Sequence, residues 1–433
     1  MTAPWLWLAL VALCASVSEA AEVEIRVQGS GGRALQIAVQ QFSADDFSSH
    51  HVEPFEREVS GGLERSSVFA VVDPDAFLEP RQSAELGAFS LRCDNWKGIG
   101  ADALLQGRIE RLRGGRVRVR YRIWDVQRCS LQGAAGYLDA PEDRVWVAAR
   151  RLADEVVRRF TGVRGVASTQ IAFVSDKSGN KEIYLMESDG SRRQRVTRNG
   201  YINLFPAWSP DADSLVYTSY RGGAPDLWTV SRGSSRGGRL LDVAGEKYRA
   251  VFGPLDGQVT LVMYREGNTD LFLARRNGRG LRRLTRSRAI DVSPTWSPDG
   301  SRLAFASDRS GTQQIYVRDM ASGDTRRLTF EGKYNASPAW SPNGDWIAYA
   351  ARTGNSFDLY LVDPDSGYTR PLVIHPRTDE APVWSPDGRK VAFTSSRRGR
   401  RDLYTVDVDG RNVRRITRDF GNCSSPSWSP WRD

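Results

Sequence analysis

Trp296-Ser297-Pro298-Asp299-Gly300 is one copy of a phrase that returns at a period of 44 residues along the second half of the chain. The phrase begins with an aromatic residue in five other repeats, at Trp208, Phe252, Trp340, Trp384 and Trp428. Copies at one fixed period of this length are typical of a repeat protein, in which each repeat is one packing unit.

Three more apolar runs keep the same period. In one repeat they are Leu303-Ala304-Phe305, Ile315-Tyr316 and Leu328-Thr329. The runs are short, rich in aromatic and β-branched residues, and bounded by turn residues, so they predict β-strands. With the phrase itself they make four strands in each repeat. Six four-stranded units predict an all-β, six-bladed propeller over residues 166–433.

The order of the strands predicts how the ring closes. The first repeat starts at Ile171 without a phrase before it, and no strands follow the phrase at Trp428. We therefore expect the C-terminal strand to pair into the first blade, which removes free sheet edges from the ring. The tryptophans of the phrase are predicted to be core residues that pack between neighbouring blades, because their rings bury a large apolar area.

Turn residues follow the same period. Glycine recurs in one slot at Gly179, Gly223, Gly267, Gly311 and Gly399, and Asn355 occupies the remaining slot. Glycine, and after it asparagine, most readily adopts a left-handed backbone. The pattern therefore predicts a positive φ at every one of these positions, including Asn355.

The chain is basic, with 61 Lys and Arg residues, 52 Asp and Glu residues and a formal net charge of +9. Strong basicity raises nucleic acid as a partner. The arginines argue against it, because five of them share one slot of the period beside the outermost strand. They are Arg195, Arg239, Arg283, Arg327 and Arg415. Single charges spread around a disc predict a solvated rim, and we expect no nucleic-acid partner.

The first 165 residues lack the repeat. Residues 1–21 predict a signal peptide, because an apolar run too short to span a membrane precedes a small-residue cleavage pattern. Secretion of this kind places the mature chain in an extracytoplasmic space, most simply a bacterial periplasm. Residues 22–165 mix strand-like and helix-like patterns and predict an α/β domain with a mixed sheet and helices, which begins with an extended segment.

Cysteine usage fits an oxidising compartment. Cys93 and Cys129 can pair within the amino-terminal domain, and Cys423 would then remain a free thiol. No Cys-x-x-Cys pattern or Cys/His cluster is present in the sequence, so a structural zinc site is not expected.

No arrangement of residues in the sequence predicts catalysis. His50, His51 and His375 are the only histidines. Residues 233–237 match the Gly-x-Ser-x-Gly letters of hydrolases, but they fall in a turn between two propeller strands and lack the strand-to-helix context of a nucleophile elbow. We therefore expect a protein that is not an enzyme and has no cofactor, apart from the cation considered next.

Three acidic residues could hold a hard cation such as weakly bound calcium in the channel of the ring. They are Asp291, Asp379 and Glu380. Two alternative functions stay open: a propeller enzyme with a titratable cluster in the channel, and a propeller that binds peptidoglycan or sugar through exposed aromatic residues. The candidates for the second are Tyr201, Phe205, Tyr248 and Tyr334.

The layout as a whole resembles the TolB family, the periplasmic propeller proteins of the Tol–Pal system. The resemblance rests on four stretches: the extended residues 23–27, the helix-to-propeller junction at 154–165, the first repeat at 171–174 and the ending at 426–430. The repeat motif is widespread among propellers, but the junction, the order and the ending together are specific. The resemblance implies a non-enzymatic monomer, peripheral to membranes, that supports outer-membrane integrity and constriction at cell division.

The family resemblance also implies partners and the residues that bind them. The peptidoglycan-associated lipoprotein Pal would bind the propeller face around the channel, at residues just ahead of each phrase. These are Asn203, Glu246, Lys247, Arg249, Asp291, Val292, Asn335, Asp379 and Glu380. Relatives carry a histidine-containing loop where this sequence has Glu246 to Arg249. Other outer-membrane or peptidoglycan-associated proteins are further possible partners.

TolA would bind the extended amino-terminal segment of the mature chain. The residues implied are Glu22, Val23, Glu24, Ile25, Arg26, Val27 and Arg33. A segment of this kind can add a strand to the edge of a partner's sheet through main-chain hydrogen bonds. A strand that is free in one state and tucked back in another would couple the two binding sites.

Overall fold

The structure, a computed structural model, describes residues 33–40, 42–44, 49–78, 91–234, 237–254 and 257–432. The predicted signal peptide and the predicted TolA-binding residues 22–27 lie outside these ranges. Among the described residues, no helix is both long enough and apolar enough to cross a membrane.

A seven-stranded mixed sheet forms the centre of the amino-terminal domain. Its strands are β1 (Leu35–Val39), β2 (Ser43–Ala44), β3 (Phe69–Val71), β4 (Ala103–Leu112), β5 (Arg116–Asp125), β6 (Ser130–Leu131) and β7 (Gly136–Pro141). The strand order is β3-β1-β4-β5-β6, with β2 also paired to β4 and β7 to β5. β1 runs parallel to β3 and β4, whereas β5 is antiparallel to β4 and β7. The predicted mixed sheet is confirmed.

Helices cover the sheet. They are α1 (Val52–Arg65), α2 (Cys93–Gly98) and α3 (Val145–Thr161), with 3-10 turns at Ser49–His51, Pro74–Ala76 and Glu142–Arg144. Phe55, Val59 and Leu63 recur every fourth residue along α1 and are fully buried against the sheet and α3, as an amphipathic helix requires. α3 ends at Gly162, whose φ of 76° suits the left-handed C-terminal cap.

The predicted disulfide is present. Cys93 at the start of α2 is bonded to Cys129 in the turn after β5, with 5.7 Å between their Cα atoms. Cys423 is a buried free thiol, and burial raises its pKa to about 11, so it stays protonated at neutral pH.

The remaining strands form six separate sheets, one for each blade. Blade 1 contains β8 (Gln170–Ser175), β9 (Glu182–Glu187) and β10 (Gln194–Arg195); blade 2 contains β11 (Asn203–Trp208), β12 (Ser214–Gly222) and β13 (Ala224–Ser231). Blade 3 contains β14 (Glu246–Phe252), β15 (Gln258–Arg265), β16 (Asn268–Arg275) and β17 (Arg282–Arg283). Blade 4 contains β18 (Asp291–Trp296), β19 (Arg302–Ser307), β20 (Gln314–Asp319) and β21 (Thr325–Arg327). Blade 5 contains β22 (Asn335–Trp340), β23 (Ile347–Thr353), β24 (Ser356–Val362) and β25 (Thr369–Val373); blade 6 contains β26 (Asp379–Trp384), β27 (Lys390–Ser395), β28 (Asp402–Asp407) and β29 (Arg414–Arg415).

The C-terminal strand closes the ring, as predicted. β30 (Cys423–Trp428) pairs antiparallel with β8 and completes blade 1, with Trp428 opposite Ile171 and Cys423 opposite Ser175. In blade 2 a single bridge between Trp228 and Arg239 stands where the other blades have a fourth strand. The six-bladed propeller closed by its last strand is therefore confirmed.

The tryptophans of the phrase connect neighbouring blades. Trp384 of blade 6 is buried, and its Nε1 donates to the main-chain oxygen of Ala339 in blade 5 at 2.8 Å. Trp208 of blade 2 is also buried and donates at 3.1 Å to the main-chain oxygen of Ser427 in blade 1. A buried indole normally needs such an acceptor. The predicted packing between blades is confirmed for these two residues.

The glycine slot is confirmed at five positions and wrong at the sixth. Gly179, Gly223, Gly267, Gly311 and Gly399 have φ between 81° and 99°. In blade 5 the positive φ, 63°, belongs to Gly354 and not to Asn355. Thr353 pairs with Ser356, so Gly354 and Asn355 make a two-residue turn that has its glycine in the first position. A two-residue turn that starts with glycine takes its positive φ at that glycine.

The amino-terminal domain lies against one end of the ring. This is the phrase end, where the first strand of each blade finishes at its aromatic residue. Arg150 of α3 donates to Glu187 Oε2 at 3.2 Å and Asp189 Oδ2 at 2.7 Å at the end of β9, and Lys390 Nζ is 2.7 Å from Ser67 Oγ. The other end of the ring is not covered by the described part of the amino-terminal domain.

Candidate functional site

The candidate site is the uncovered end of the ring, which we call the mouth. It is the end at which the first strands β11, β14, β18, β22, β26 and β30 begin, together with the loops that precede them. Seven of the thirteen exposed large apolar side chains of the described residues lie there. They are Tyr201, Ile202, Tyr264, Ile290, Phe330, Tyr334 and Ile374. Exposed apolar side chains gathered on one face are typical of a partner-binding surface.

The structure buries five of the nine side chains predicted to bind Pal. Asn203, Lys247, Asp291, Asn335 and Asp379 begin the first strands of blades 2 to 6, and each is at most 1% exposed. Asn203, Lys247 and Asn335 bond to side chains of the preceding blade, whereas Asp291 and Asp379 bond within their own blade. The expectation that they form an exposed mouth is therefore corrected: they lie under it. Their role in Pal binding stays a prediction, and from their present positions they would act by shaping the loops above them.

The two asparagines bond in the same way. Asn203 Nδ2 donates to Glu182 Oε2 at 2.9 Å, and Asn335 Nδ2 donates to Gln314 Oε1 at 2.7 Å. Glu182 and Gln314 are themselves buried at the start of the third strands β9 and β20. A buried polar side chain is tolerated when it is hydrogen-bonded, so each pair supports the other.

Lys247 fills the same slot in blade 3 with a charge. Its Nζ lies 3.1 Å from Asp226 Oδ1 and donates at 2.8 Å to the main-chain oxygens of Val243 and Gly245. The ammonium therefore has an ionic partner and two carbonyl partners, as a buried cation requires. This lysine holds the loop between blades 2 and 3 against the ring.

The three acids proposed for calcium are each paired with an arginine. Asp291 accepts from Arg309 at 2.9 and 3.1 Å, and Asp379 accepts from Arg397 at 2.9 Å. Burial raises the pKa of Asp379, and Ser395 and Arg397 oppose that shift. The third acid, Glu380, lies 3.3 Å from Arg401. Calcium binding stays a prediction, and it would require these carboxylates to leave their arginines.

Four of the arginines of the outer strand pair with buried acids. Arg195 donates to Glu182 at 2.8 Å, and Arg415 lies 2.8 Å from Asp402; both carboxylates have no exposed side-chain surface. Arg239 and Arg283 pair likewise with Asp226 and Asp270. These arginines stay partly exposed, as a solvated rim requires, and they also neutralise buried acids of the third strands and tie the outer strand to its neighbour.

A bulge at the mouth end of every first strand re-aims its side chains. The six bulged residues have φ between 36° and 56°, although none is glycine. They are Phe205, Arg249, Ser293, Ser337, Ala381 and Ser425. A left-handed backbone costs roughly 1–2 kcal/mol at such residues. Bulges in sheets are common beside functional sites. Because the same bulge recurs in all six blades, we regard the inner surface of the ring as a candidate functional surface.

Arg249 carries the only charge among the six bulged residues. Its guanidinium is 5.0 Å from the centre of the Phe205 ring in blade 2 and donates to Ser293 Oγ in blade 4. Burial lowers the pKa of Arg249 to about 10, and the carboxylate of Glu380 in blade 6 opposes that shift. Arg249 remains charged at neutral pH, so it places a cation on the inner surface of the ring.

The other predicted site residues are only partly accessible. Glu246, Val292 and Glu380 are half-buried near the mouth. The hydroxyl of Tyr248 donates to Glu246. Burial is the larger cause of the raised pKa of Tyr248, and the bond to Glu246 adds to it. Of the predicted TolA-binding residues the structure describes only Arg33, which is exposed just before β1.

Ser235, the central serine of the Gly-x-Ser-x-Gly letters at 233–237, lies outside the described residues. His375 accepts from the main-chain nitrogen of Arg377 at the mouth, far along the ring from the turn that begins at Gly233. The one group of three potential metal ligands in the described ranges is His50, His51 and Glu142, which lies in the amino-terminal domain and outside the mouth. The sequence did not suggest this group, because Glu142 is 91 residues from His51.

The fold and the mouth together define a class: a closed six-bladed propeller with an α/β domain on one end and an apolar, partner-type surface on the other. Comparisons with known proteins then give the family. A profile described as the TolB amino-terminal domain matches residues 23–131, and one described as the TolB beta propeller domain matches residues 157–432. The chain belongs to the TolB family.

Individual relatives agree with this assignment. The Tol-Pal system protein TolB of Desulfosudis oleivorans is 38% identical over 175 residues, which cover 40% of this chain and 40% of that protein. The Tol-Pal system protein TolB of Paramagnetospirillum magneticum is 32% identical over 233 residues, 52% of this chain and 51% of that protein. The chain thus matches about half the length of these relatives, or less. The crystal structure of TolB from Acinetobacter baumannii has a TM-score of 0.79 at 25% identity and covers 92% of this chain and 98% of that one.

Proposed function

We propose that this protein is a non-enzymatic periplasmic scaffold of the Tol–Pal system. In this proposal it binds the lipoprotein Pal through the mouth and TolA through residues 22–33, and so supports outer-membrane integrity and constriction at cell division. Membership of the TolB family supports the link to the Tol–Pal system. The observation that carries the proposed binding is the apolar face at the mouth, opposite the amino-terminal domain.

The mouth has the physical properties of a preformed binding surface. Each loop there is anchored from below by a buried polar contact, such as Lys247 with Asp226 or Asn335 with Gln314. Little ordering is therefore lost when a partner binds, and more of the contact energy appears as affinity. Exposed aromatic and aliphatic residues such as Tyr334 and Ile290 offer the kind of anchor that dominates interface energy.

The amino-terminal segment is proposed to bind TolA by adding a strand to its sheet. Glu22, Val23, Glu24, Ile25, Arg26 and Val27 carry this proposal as sequence only. Arg33, the first described residue, is exposed and leads directly into β1. A partner can therefore reach the chain where it enters the domain.

Isothermal titration calorimetry with the soluble domain of Pal tests the first contact. The chain from residue 22 onward should bind Pal with one site, and a chain that starts at Ala34 should bind Pal but lose TolA. Peptidoglycan fragments serve as the competing ligand. Failure to bind Pal, with saturable binding of the fragments, would overturn the proposal in favour of a sugar-binding propeller.

A further inference from the structure

A second concave site lies at the opposite end of the ring from the mouth. It is a cavity of about 410 Å³ between the amino-terminal domain and the phrase ends of blades 1 and 2. Two tryptophans, Trp146 of α3 and Trp208 of blade 2, contribute to its walls. The size is that of a site for a small molecule.

Arginines dominate the charge of this cavity. Six of them line it: Arg116, Arg144, Arg150, Arg151, Arg232 and Arg432. Of the described residues that line it, two are acidic, Asp139 and Glu187. These arginines repel one another unless anions neutralise them, because charges near a concave surface are poorly screened.

The two acids are already engaged. Asp139 accepts from Arg118 at 2.7 and 2.8 Å, a bidentate pair that holds the pKa of Asp139 below its usual value. Glu187 accepts from Arg150 at 3.2 Å and from Gln170 at 2.7 Å. Neither carboxylate is therefore left over for the other arginines of the cavity.

Of the six arginines, only Arg150 is compensated well. It is 1% exposed and pairs with Glu58, Glu187 and Asp189. The contacts of Arg144 and Arg432 with acids are long, at 3.9 and 3.7 Å. These two are therefore weakly neutralised.

Three arginines of the cavity have no carboxylate within 4.0 Å among the described residues: Arg116, Arg151 and Arg232. Arg232 gives the strongest evidence for a ligand site. Its Nε donates to Gln170 Oε1 at 2.9 Å, whereas its buried Nη1 has no hydrogen-bond partner among the described residues. A buried donor is costly without an acceptor, so this Nη1 is available to hydrogen-bond a ligand in the cavity.

We propose that this cavity binds a small anion that carries two or more phosphate or carboxylate groups. Planar guanidinium groups match the oxygen pairs of both groups and bind them through parallel, charge-assisted hydrogen bonds. Arg232 would supply its free Nη1, and Arg116 and Arg151 would add positive charge from the amino-terminal domain. The ligand would touch both domains and hold them together. The proposal rests on this cavity and uses no residue of the mouth.

Isothermal titration calorimetry on the full chain, with inorganic tripolyphosphate and citrate as probes, tests the proposal. One saturable site is expected for at least one probe. The probe with the higher affinity shows whether the site prefers phosphate or carboxylate groups. Arg232→Gln and Arg151→Gln should each weaken binding by at least about tenfold, because each removes charge-assisted hydrogen bonds. The matched control is Arg377→Gln, which removes an equal charge at the mouth and should leave the affinity unchanged.

Three results would overturn the proposal. The first is no saturable binding of either probe, and the second is equal weakening by Arg377→Gln, which indicates unspecific attraction to a basic protein. The third is binding that occurs only after residues 1–32 are removed, which would make that segment the occupant. Circular-dichroism melts of all variants separate loss of the site from loss of folding, and Arg151→Gln provides the second test if Arg232→Gln does not fold.

Discussion

The two ends of the ring are built by different rules. At the phrase end the blades repeat the same contacts: Ser297 Oγ accepts from Arg302 N at 2.9 Å, and Ser385 Oγ accepts from Lys390 N at 2.9 Å in the equivalent turn of blade 6. At the mouth end one buried slot holds four different residue types in the six blades. In order the slot holds Asn203, Lys247, Asp291, Asn335, Asp379 and Cys423. Uniform contacts assemble a ring, whereas varied contacts make its face asymmetric, as the recognition of one partner requires.

Replacing a tryptophan at the uniform end should have the largest effect on stability. Trp384→Ala removes a ring that is 6% exposed and a hydrogen bond to blade 5, so it should cost about 3–5 kcal/mol through the cavity it leaves. Trp346→Ala is the control, because Trp346 is only partly buried and outside the phrase. Urea unfolding followed by fluorescence measures both. Equal losses of unfolding free energy would mean that a tryptophan of the phrase contributes no more to the contact between blades than Trp346 does.

A smaller loss is expected at the varied end. Lys247→Ala leaves Asp226 with Arg239 alone and frees two carbonyl groups, which should cost about 3 kcal/mol. Lys247→Asn should cost less, because the asparagine can donate to Asp226 as Asn203 donates to Glu182. Comparing their unfolding free energies tests whether the slot contents are interchangeable. If Lys247→Asn lowers the unfolding free energy more than Lys247→Ala does, the residue in this slot cannot be exchanged between blades.

The junction between the domains should respond to pH. Asp154 of α3 accepts from Ala167 N at 2.6 Å and Ser168 N at 2.9 Å, and burial raises its pKa to about 6 in spite of these bonds. A carboxyl group whose pKa is raised on folding stabilises the native state at low pH, and this contribution is lost as the pH rises. Between pH 4 and 6 the loss should be about 2 kcal/mol.

The variant Asp154→Asn isolates this effect. The difference in unfolding free energy between the wild type and Asp154→Asn should change over pH 4 to 6, because other titrating groups cancel. A difference that stays constant across this range would show that the Asp154 carboxyl group has an ordinary pKa.

The sequence predicted the features that depend on apolar spacing and missed those that depend on backbone conformation and on buried polar contacts. The period of 44 residues determined the strands, the closure by β30 and the tryptophan contacts, because these depend on apolar spacing alone. It did not predict the bulges, since Phe205, Arg249 and Ser293 give no sign of a left-handed backbone. It also placed Asn203 and Asp379 on the surface, because their partners are distant in the sequence and polar residue types are usually exposed.

The exposed residues of the mouth should separate binding from stability. Ile290 and Tyr334 occupy equivalent positions of two repeats and are 48% and 37% exposed. Replacing both with serine should cost no more than about 1 kcal/mol for each residue, because neither side chain belongs to the core and Tyr334 loses one ring contact, with Phe357. If the varied end is the Pal-binding face, the same double variant should weaken Pal binding by at least about tenfold, as loss of interface anchors does.

Tyr368→Ser is the matched control for this last experiment. Tyr368 is 62% exposed, but it lies in the turn between β24 and β25 at the phrase end. Its loss should leave Pal affinity unchanged, because a partner on the mouth does not reach it. Equal weakening by Tyr368→Ser and by the mouth variant would remove the functional distinction between the two ends. Selective weakening at the mouth would instead assign recognition to the end where the blades differ.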